Sequence, residues 1–211
     1  MYLNDNEFIG GCDEFARWAL YNHAHEVQDS KAENVAAAQA AFREAINNSE
    51  KSKFAFMGIN SEGVTAKIIF ELFYHLAPKT CDNFLALCEG FKRTSDGEHI
   101  GYMSSEIHRI VPGMFVQGGR IKATGCCSLF EKEFEDESFH VKHTHKGLLG
   151  MAKRSGLKNT NESQFYITTA APLSFLDNQN VIFGRVIQGM EFIQGIERLE
   201  TTNEKSAHFP V

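Results

Sequence analysis

The stretch His108-Arg109-Ile110-Val111-Pro112-Gly113-Met114-Phe115-Val116-Gln117-Gly118-Gly119 combines a cation, an amide side chain, two large apolar residues and four turn-formers in twelve positions. This pattern predicts a short strand, a Pro-Gly turn, a second apolar strand and a Gly-Gly exit. If Arg109 and Gln117 lie on neighbouring strands, their polar ends converge beside Met114 and Phe115. The result is a shallow apolar pocket with a guanidinium at its rim. An ordinary hairpin with a surface arginine fits the same residues, so this window alone leaves both interpretations open.

Length and composition limit the class of protein. The 211 residues are enough for one sizeable domain and an appendage. Hydrophobic residues make up 43% and charged residues 23%, as in ordinary globular proteins. The formal net charge of -6 argues against nucleic acid as the main partner, because phosphate binding needs a concentrated basic surface. No apolar run approaches the roughly 18 residues of a membrane span, so we also expect no membrane partner.

The five cysteines indicate a reducing environment. Cys81 and Cys88 are seven residues apart on a predicted helix, which places them about 10 Å apart, too far to bridge. Cys126 and Cys127 are adjacent, with no second pair at metal-ligand spacing. Together with the lack of a signal peptide pattern, this predicts a cytoplasmic location.

Residues 1–50 predict a helical N-terminal extension. A glycine turn leads to a helix N-cap at Asp13, and Ser30-Lys31-Ala32-Glu33 fits a capping box that opens a helix over about residues 31–47. Two short amphipathic helices cannot bury their apolar stripes alone. We expect a helical hairpin docked against the body, and a helix pair that binds a partner or dimerises is the alternative.

Residues 51–211 predict a mainly β body. One helix begins at Pro78 and ends at Gly90, and a second covers Glu191 to Glu200. The other periodic segments are short and apolar, as in strands. Short strands with only two long helices favour a β-barrel with helices over its ends. The expected strand segments are Phe54–Ile59, Lys67–Phe73, Phe139–Val141, Gly147–Ala152, Gln164–Thr169 and Val181–Ile187, and residues 91–101 are expected to form a loop.

Four collinear segments resemble the cyclophilins, the peptidyl-prolyl cis/trans isomerases, over roughly residues 53–200. Besides the opening stretch they are Lys67–Phe84, Phe134–Ala152 and Asn159–Gly184, the last including Ser163-Gln164-Phe165-Tyr166 and Phe175-Leu176-Asp177. The resemblance implies an eight-stranded antiparallel barrel capped by two helices. Family members normally end with a strand that pairs with the first strand, whereas this chain ends at His208-Phe209-Pro210-Val211. We therefore expect a shortened last strand or an open edge on the first strand.

Isomerisation of an X-Pro bond requires neither a nucleophile nor a cofactor. The barrier is about 20 kcal/mol because amide resonance is lost in the twisted state. A site that binds the twisted amide better than either planar form therefore catalyses the rotation. A guanidinium suits this task, since it is always charged and can donate to the prolyl nitrogen.

The resemblance implies roles for particular residues. Arg109 corresponds to the catalytic donor, and Gln117 to the residue that binds the substrate backbone and orients the arginine. The proline pocket and the adjoining peptide groove correspond to Phe115, Tyr166 and Leu176, with Met114, Ala152 and Phe175 beside them. Proline-containing peptides or proteins are the expected partners.

This chain departs from the family pattern inside the same site. The order Met114-Phe115 exchanges the two large side chains, Tyr166 replaces a phenylalanine, Phe175 a tryptophan and Asn180 a histidine. A tyrosine hydroxyl in a proline pocket needs a hydrogen-bond partner or lowers affinity. Similar changes occur in divergent members that also carry an N-terminal extension. They lower the expected activity and, more strongly, the expected binding of cyclosporin.

Two other groups of side chains admit functional interpretations. His140, His143 and His145 are close in sequence, and on a strand His143 and His145 would share one face, as metal ligands do, but no Asp or Cys completes a site. We therefore expect no metal and no cofactor. Lys153 and Arg154 fit a solvated loop tip, and a bias toward acidic or phosphorylated peptides is the alternative.

Two functions remain open at this point. The first is an isomerase that acts on X-Pro bonds of proteins and aids folding or switching. The second is a catalytically weak module that binds proline-containing peptides. Arg109 and Gln117 favour the isomerase, whereas the Met114-Phe115 exchange and Tyr166 favour the module.

Overall fold

The computed structural model describes residues 2–3, 7–8, 52–154 and 157–199. The chain divides into two compact units, residues 1–48 and residues 49–211. In the first unit, β1 (Tyr2–Leu3) and β2 (Glu7–Phe8) form an antiparallel pair. The helices predicted from Asp13 onward and over residues 31–47 lie outside the described residues, and their docking on the body stays a prediction.

The second unit is built from short strands and two helices. In chain order these are β3 (Lys53–Ser61), β4 (Val64–Leu72), α1 (Pro78–Glu89), β5 (Phe91–Lys92), β6 (His99–Ile100), β7 (Arg109–Val111), β8 (Phe115–Gly118), β9 (Leu148–Met151), β10 (Phe165–Thr168), a 3-10 turn (Ser174–Leu176), β11 (Ile182–Gln188) and α2 (Met190–Glu197). Seven strands form one curled antiparallel sheet in the order β3-β4-β11-β9-β10-β8-β7. The predicted mainly β class with two helices is confirmed for the described part of the chain.

Three predictions about the β body were not confirmed. The eighth strand, expected near residues 208–211, lies outside the described residues and stays a prediction. The loop predicted over residues 91–101 is wrong in part, because β5 and β6 pair there as a small hairpin. The strand predicted over residues 139–141 is also wrong. The backbone N–H of His140 donates to Ser138 Oγ (3.2 Å) and that of His143 to Asp177 Oδ1 (2.8 Å), so side chains replace a strand partner.

The hairpin of β7 and β8 confirms the prediction from the opening stretch. The backbone N–H of Met114 donates to the carbonyl oxygen of Val111 (3.0 Å), and Gly113 has φ of 73°. A type II turn needs a positive φ at its third residue and favours proline at its second, and Pro112-Gly113 supplies both. This turn fixes the register in which Arg109 lies opposite Gln117.

The two faces of the sheet near this hairpin carry different apolar layers. One cross-strand row, Ile110, Val116, Ile167 and Leu149, is buried in the main core. The ring of Phe84 on α1 closes that core, with ring centroids 5.3–5.7 Å from its aromatic neighbours Phe70, Tyr102, Phe165 and Phe183. The opposite face carries a smaller cluster of Phe115, Leu148, Tyr166 and Ile182.

A buried ion pair ties the segment after β9 to the body. Lys153 Nζ lies 2.8 Å from Asp136 Oδ2, and the two side chains are only 5% and 4% exposed. Asp136 also accepts hydrogen bonds from Asn161 Nδ2 (2.9 Å) and from the backbone N–H of Asn159 (3.1 Å). The charge is therefore well solvated by protein groups, and removal of one partner leaves the other buried and uncompensated.

We predict that Lys153→Met lowers the free energy of unfolding by about 3 kcal/mol, because it strands the Asp136 carboxylate in the interior. The matched control is Arg154→Met, since Arg154 is 71% exposed and its ion pair with Glu133 lies at the surface. That variant should cost less than about 1 kcal/mol. Urea unfolding followed by circular dichroism measures both values. Equal losses in the two variants would contradict the structural role given to the buried pair.

Candidate functional site

Strand register brings the predicted polar residues into one row. Gln117 on β8 pairs with Arg109 on β7 and with Tyr166 on β10, and Tyr166 in turn pairs with Gly150 on β9. Directly paired residues of antiparallel strands project their side chains to the same face of a sheet. The guanidinium, the amide and the phenol ring therefore share the face opposite the main core.

A cavity of about 540 Å³ lies against this row. Its lining includes all eight predicted site residues: Arg109, Met114, Phe115, Gln117, Ala152, Tyr166, Phe175 and Leu176. The structure thus brings together side chains from four separate segments of the chain. Their catalytic and binding roles stay predictions.

Arg109 is oriented by two contacts at the rim of the cavity. Its Nη1 donates to Gln117 Oε1 (3.3 Å), and its Cζ lies 5.3 Å from the centroid of the Phe115 ring. Gln117 Nε2 donates in turn to Gln164 Oε1 (2.9 Å), which fixes the orientation of the amide. The side chain of Arg109 is exposed, so the guanidinium retains free N–H donors toward the cavity.

Apolar side chains form the floor and one wall of the cavity. Phe115 is 8% exposed and Tyr166 is 3% exposed, with ring centroids 5.4 Å apart. Leu176, from the 3-10 turn, packs against the same cluster. Phe175, the residue that replaces the family tryptophan, is 53% exposed at the edge. Apolar side chains beside a guanidinium at the rim are the arrangement that the sequence predicted.

The Tyr166 hydroxyl has the hydrogen-bond partner that its position demands. His143 Nε2 lies 2.7 Å from Tyr166 Oη, and His143 Nδ1 lies 2.7 Å from Asp177 Oδ1. Burial lowers the pKa of His143 below its ordinary value, although the hydrogen bond with Asp177 acts in the opposite direction. The backbone N–H of His143 lowers the pKa of Asp177, and burial raises the pKa of Tyr166 far above its usual range. At neutral pH the set is a carboxylate, a neutral imidazole and a phenol.

Gly150 makes room for this phenol. A Cβ atom at Gly150 would lie 2.3 Å from Tyr166 Cζ and 2.4 Å from its Oη. No real side chain tolerates such distances, so a residue larger than glycine would push the ring away from His143. The absence of a side chain at position 150 and the position of the ring of residue 166 are therefore linked features.

Lys153 and Arg154 follow β9, where the sequence predicted a solvated loop tip. That prediction is wrong for Lys153. Lys153 is held by Asp136 in the interior, whereas Arg154 is exposed and pairs with Glu133. Lys158, exposed at the same wall of the cavity, forms no ion pair within the described part of the chain. Among its described lining residues the cavity has cations and no carboxylate.

Sequence reasoning missed three residues of the site. The sequence predicts no role for Asp177 or Gly150 by themselves, and the one functional role weighed for His143 is that of a metal ligand. The sequence contained one usable signal, the need of a buried tyrosine hydroxyl for a partner. It could not identify that partner, because His143, Tyr166 and Asp177 converge from three separate segments.

The described residues contain neither a cluster of metal-ligating side chains nor a helix that could span a membrane. Across 52–154 and 157–199, no three His, Cys, Asp or Glu side chains are grouped as metal ligands are. His143 is engaged by Tyr166 and Asp177, and His145 Nδ1 lies 2.8 Å from Thr144 Oγ1. In the same ranges no helix has the length and apolar character needed to cross a bilayer.

Comparison with known proteins identifies the family of this chain. The sequence profile described as "Cyclophilin type peptidyl-prolyl cis-trans isomerase/CLD" matches residues 28–211. The chain is 35% identical over 213 aligned residues to a human protein named "Probable inactive peptidyl-prolyl cis-trans isomerase-like 6". That alignment covers 97% of this chain and 66% of the human protein. The resemblance drawn from the motifs is therefore confirmed, and the chain belongs to the cyclophilin-type peptidyl-prolyl cis-trans isomerase family.

Proposed function

We propose that this chain is a peptidyl-prolyl cis/trans isomerase that acts on exposed X-Pro bonds of flexible protein segments. One observation carries the proposal: the oriented guanidinium of Arg109 stands beside an apolar cavity lined by Phe115, Tyr166 and Leu176. In this proposal the apolar side chains of the cavity hold the proline ring, and the guanidinium beside them is the donor to the adjacent nitrogen.

In this mechanism side chains of the protein hold the proline ring and donate to the prolyl nitrogen. The apolar walls hold the proline ring, so that the carbonyl side of the bond rotates against a fixed nitrogen. As resonance is lost, the prolyl nitrogen gains lone-pair character and accepts a hydrogen bond from Arg109. This contact is stronger in the twisted state than in either planar state, which is the condition for catalysis.

Gln117 has two roles in the proposed mechanism. Its carbonyl oxygen holds one N–H group of Arg109, and its own N–H group is held by Gln164. These bonds favour one orientation of the guanidinium before the substrate arrives. A donor that is already oriented is worth more to the transition state than one that must first be ordered. A rate gain of about a millionfold needs roughly 8 kcal/mol of differential stabilisation, which several such contacts supply together.

The second candidate function is a binding module with little catalysis. It is favoured by the printed name of the human relative, which calls that protein probably inactive. Phe115 is also buried where Met114 remains partly accessible, so the two large side chains meet a peptide in an order that differs from the family pattern. The same cavity would then hold a proline-containing segment without accelerating its rotation.

Partners and location follow from the same proposal. Proline-containing segments of proteins are the ligands, and the outcome is assisted folding or a conformational switch. We place the protein in the cytoplasm, where Cys81, Cys88, Cys126 and Cys127, which are free thiols in the structure, remain reduced. We expect weak cyclosporin binding, because Phe175 offers no indole N–H.

We predict that Arg109→Ala lowers the exchange rate of an Ala-Pro peptide by about 100- to 1,000-fold, the usual effect of removing one oriented donor. Peptide affinity should change far less, because the apolar cavity remains. Two-dimensional NMR exchange spectroscopy measures the rate, and chemical-shift titration measures the affinity. Arg185→Ala is the matched control, since Arg185 pairs with Glu71 at the surface and does not line the cavity.

The outcomes separate the two candidate functions. Exchange by the wild type that is lost in Arg109→Ala and kept in Arg185→Ala supports the isomerase. Tight peptide binding without exchange by the wild type assigns the binding module instead.

We predict that a Glu-Pro peptide binds about two- to five-fold more tightly than a Lys-Pro peptide, because Arg109 and Lys158 are exposed at the cavity and form no ion pair within the described part of the chain. The preference should shrink in high salt, which screens exposed charges. Lys158→Ala should reduce it further, whereas Lys92→Ala, on β5 and outside the cavity, should leave it intact. Equal dissociation constants for the two peptides at low salt would contradict this prediction.

A further inference from the structure

Three hydrogen-bonded side chains below the cavity have no part in the donation to the prolyl nitrogen. Asp177, His143 and Tyr166 are linked by two contacts of 2.7 Å. The backbone N–H of His143 adds a third bond to Asp177 Oδ1, at 2.8 Å. His143 is 1% exposed and Tyr166 is 3% exposed, so the bond between them is shielded from solvent.

The donors and acceptors fix the direction of each bond. An ionised Asp177 can only accept, so the proton of the neutral imidazole lies on Nδ1. His143 Nε2 is then an acceptor, and the Tyr166 hydroxyl must donate to it. The proton of the phenol is therefore directed away from the cavity that its ring lines.

The effect on the cavity follows from this direction. A hydroxyl without its acceptor is left unpaired beside the cavity, and a bound proline ring closes off whatever access to water it still has. Burial of an unpaired hydroxyl is costly. With His143 in place, the ring of Tyr166 presents only apolar surface, as a phenylalanine would.

We propose that His143 and Asp177 are positioning residues for the proline pocket, which hold the Tyr166 hydroxyl beneath it so that the ring alone meets the substrate. The assignment rests on the proposed function, since it concerns the same binding site. An unpaired Tyr166 hydroxyl would weaken binding of a proline ring, and the bond to His143 prevents this.

Protonation of His143 tests the assignment directly. The titratable groups that face His143 are Tyr166 on β10, Asp177 after the 3-10 turn and Lys142 on its own segment. The pKa of Asp177 is lowered by the backbone N–H of His143, so Asp177 stays ionised, and Lys142 donates to Asn178 Oδ1 (2.6 Å). A proton added to His143 goes to Nε2, which then donates to the phenol oxygen. The phenol proton thereby loses the one acceptor that the described residues offer it.

The experiment measures the dissociation constant of an Ala-Pro peptide by NMR titration between pH 7.5 and about pH 4.5. For the wild type it should stay constant down to about pH 6.5 and then rise by up to about ten-fold, because only the form with neutral His143 binds well. Tyr166→Phe should bind at least as tightly and show no such rise. A flat profile in the wild type, or the same rise in Tyr166→Phe, would overturn the assignment.

A double-mutant cycle provides the second readout. His143→Leu should weaken peptide binding about ten-fold in the wild-type background and hardly at all when combined with Tyr166→Phe. His145→Leu, two residues along and exposed, is the matched control. If His143→Leu fails to fold, the pH profiles of wild type and Tyr166→Phe still decide the question.

The two proposals fail in different ways. If the dissociation constant is the same at all pH values and is unchanged in His143→Leu, the positioning role is wrong and the proposed isomerase function still stands. If neither the wild type nor Tyr166→Phe binds the peptide, both the proposed function and the positioning role are wrong.

Discussion

The register of β7, β8 and β10 is the constraint on which the rest of the site depends. It aligns Arg109, Gln117 and Tyr166 across three strands on one face, and it aligns Ile110, Val116 and Ile167 on the other. A slip of one residue would turn every one of these side chains to the opposite face. The buried row holds the register, because its apolar side chains are removed from water only in this pairing. The site is thus positioned by the same core that stabilises the fold.

The departures from the family pattern are accommodated locally. Tyr166 brings a hydroxyl into an apolar layer, and three features receive it: an imidazole acceptor at His143, a carboxylate that fixes the imidazole, and a glycine at position 150 that leaves space for the ring. A buried polar group of this kind is tolerated only when it is fully satisfied. The floor of the cavity therefore remains apolar toward a ligand despite the change in sequence.

Much of the fold and of the site was accessible from the sequence, and the reasons differ by element. The Pro112-Gly113 turn could be predicted because only a few residue types suit that backbone, and the helix at Pro78 because proline pre-sets the first turn. The residues of the cavity came from collinear motifs. The β5–β6 hairpin was missed because its strands are two residues long and lack periodicity.

The contacts that required coordinates are those made between distant segments. Nothing local marks Lys153 as buried, since its environment is set by Asp136 in another segment. The bond between His143 and Tyr166 likewise joins residues from separate parts of the chain. Spacing along a sequence reports on helices, strands and turns, and it carries no information about which side chains meet in space.

The central claim is that the guanidinium of Arg109 and the adjacent apolar cavity together fit an X-Pro bond. A crystal structure of the protein with an Ala-Pro peptide tests it most directly. The account predicts the proline ring against Phe115, Tyr166 and Leu176, with an Arg109 nitrogen about 3 Å from the prolyl nitrogen. A peptide bound elsewhere, or a proline ring in the cavity with Arg109 turned toward solvent, would contradict it.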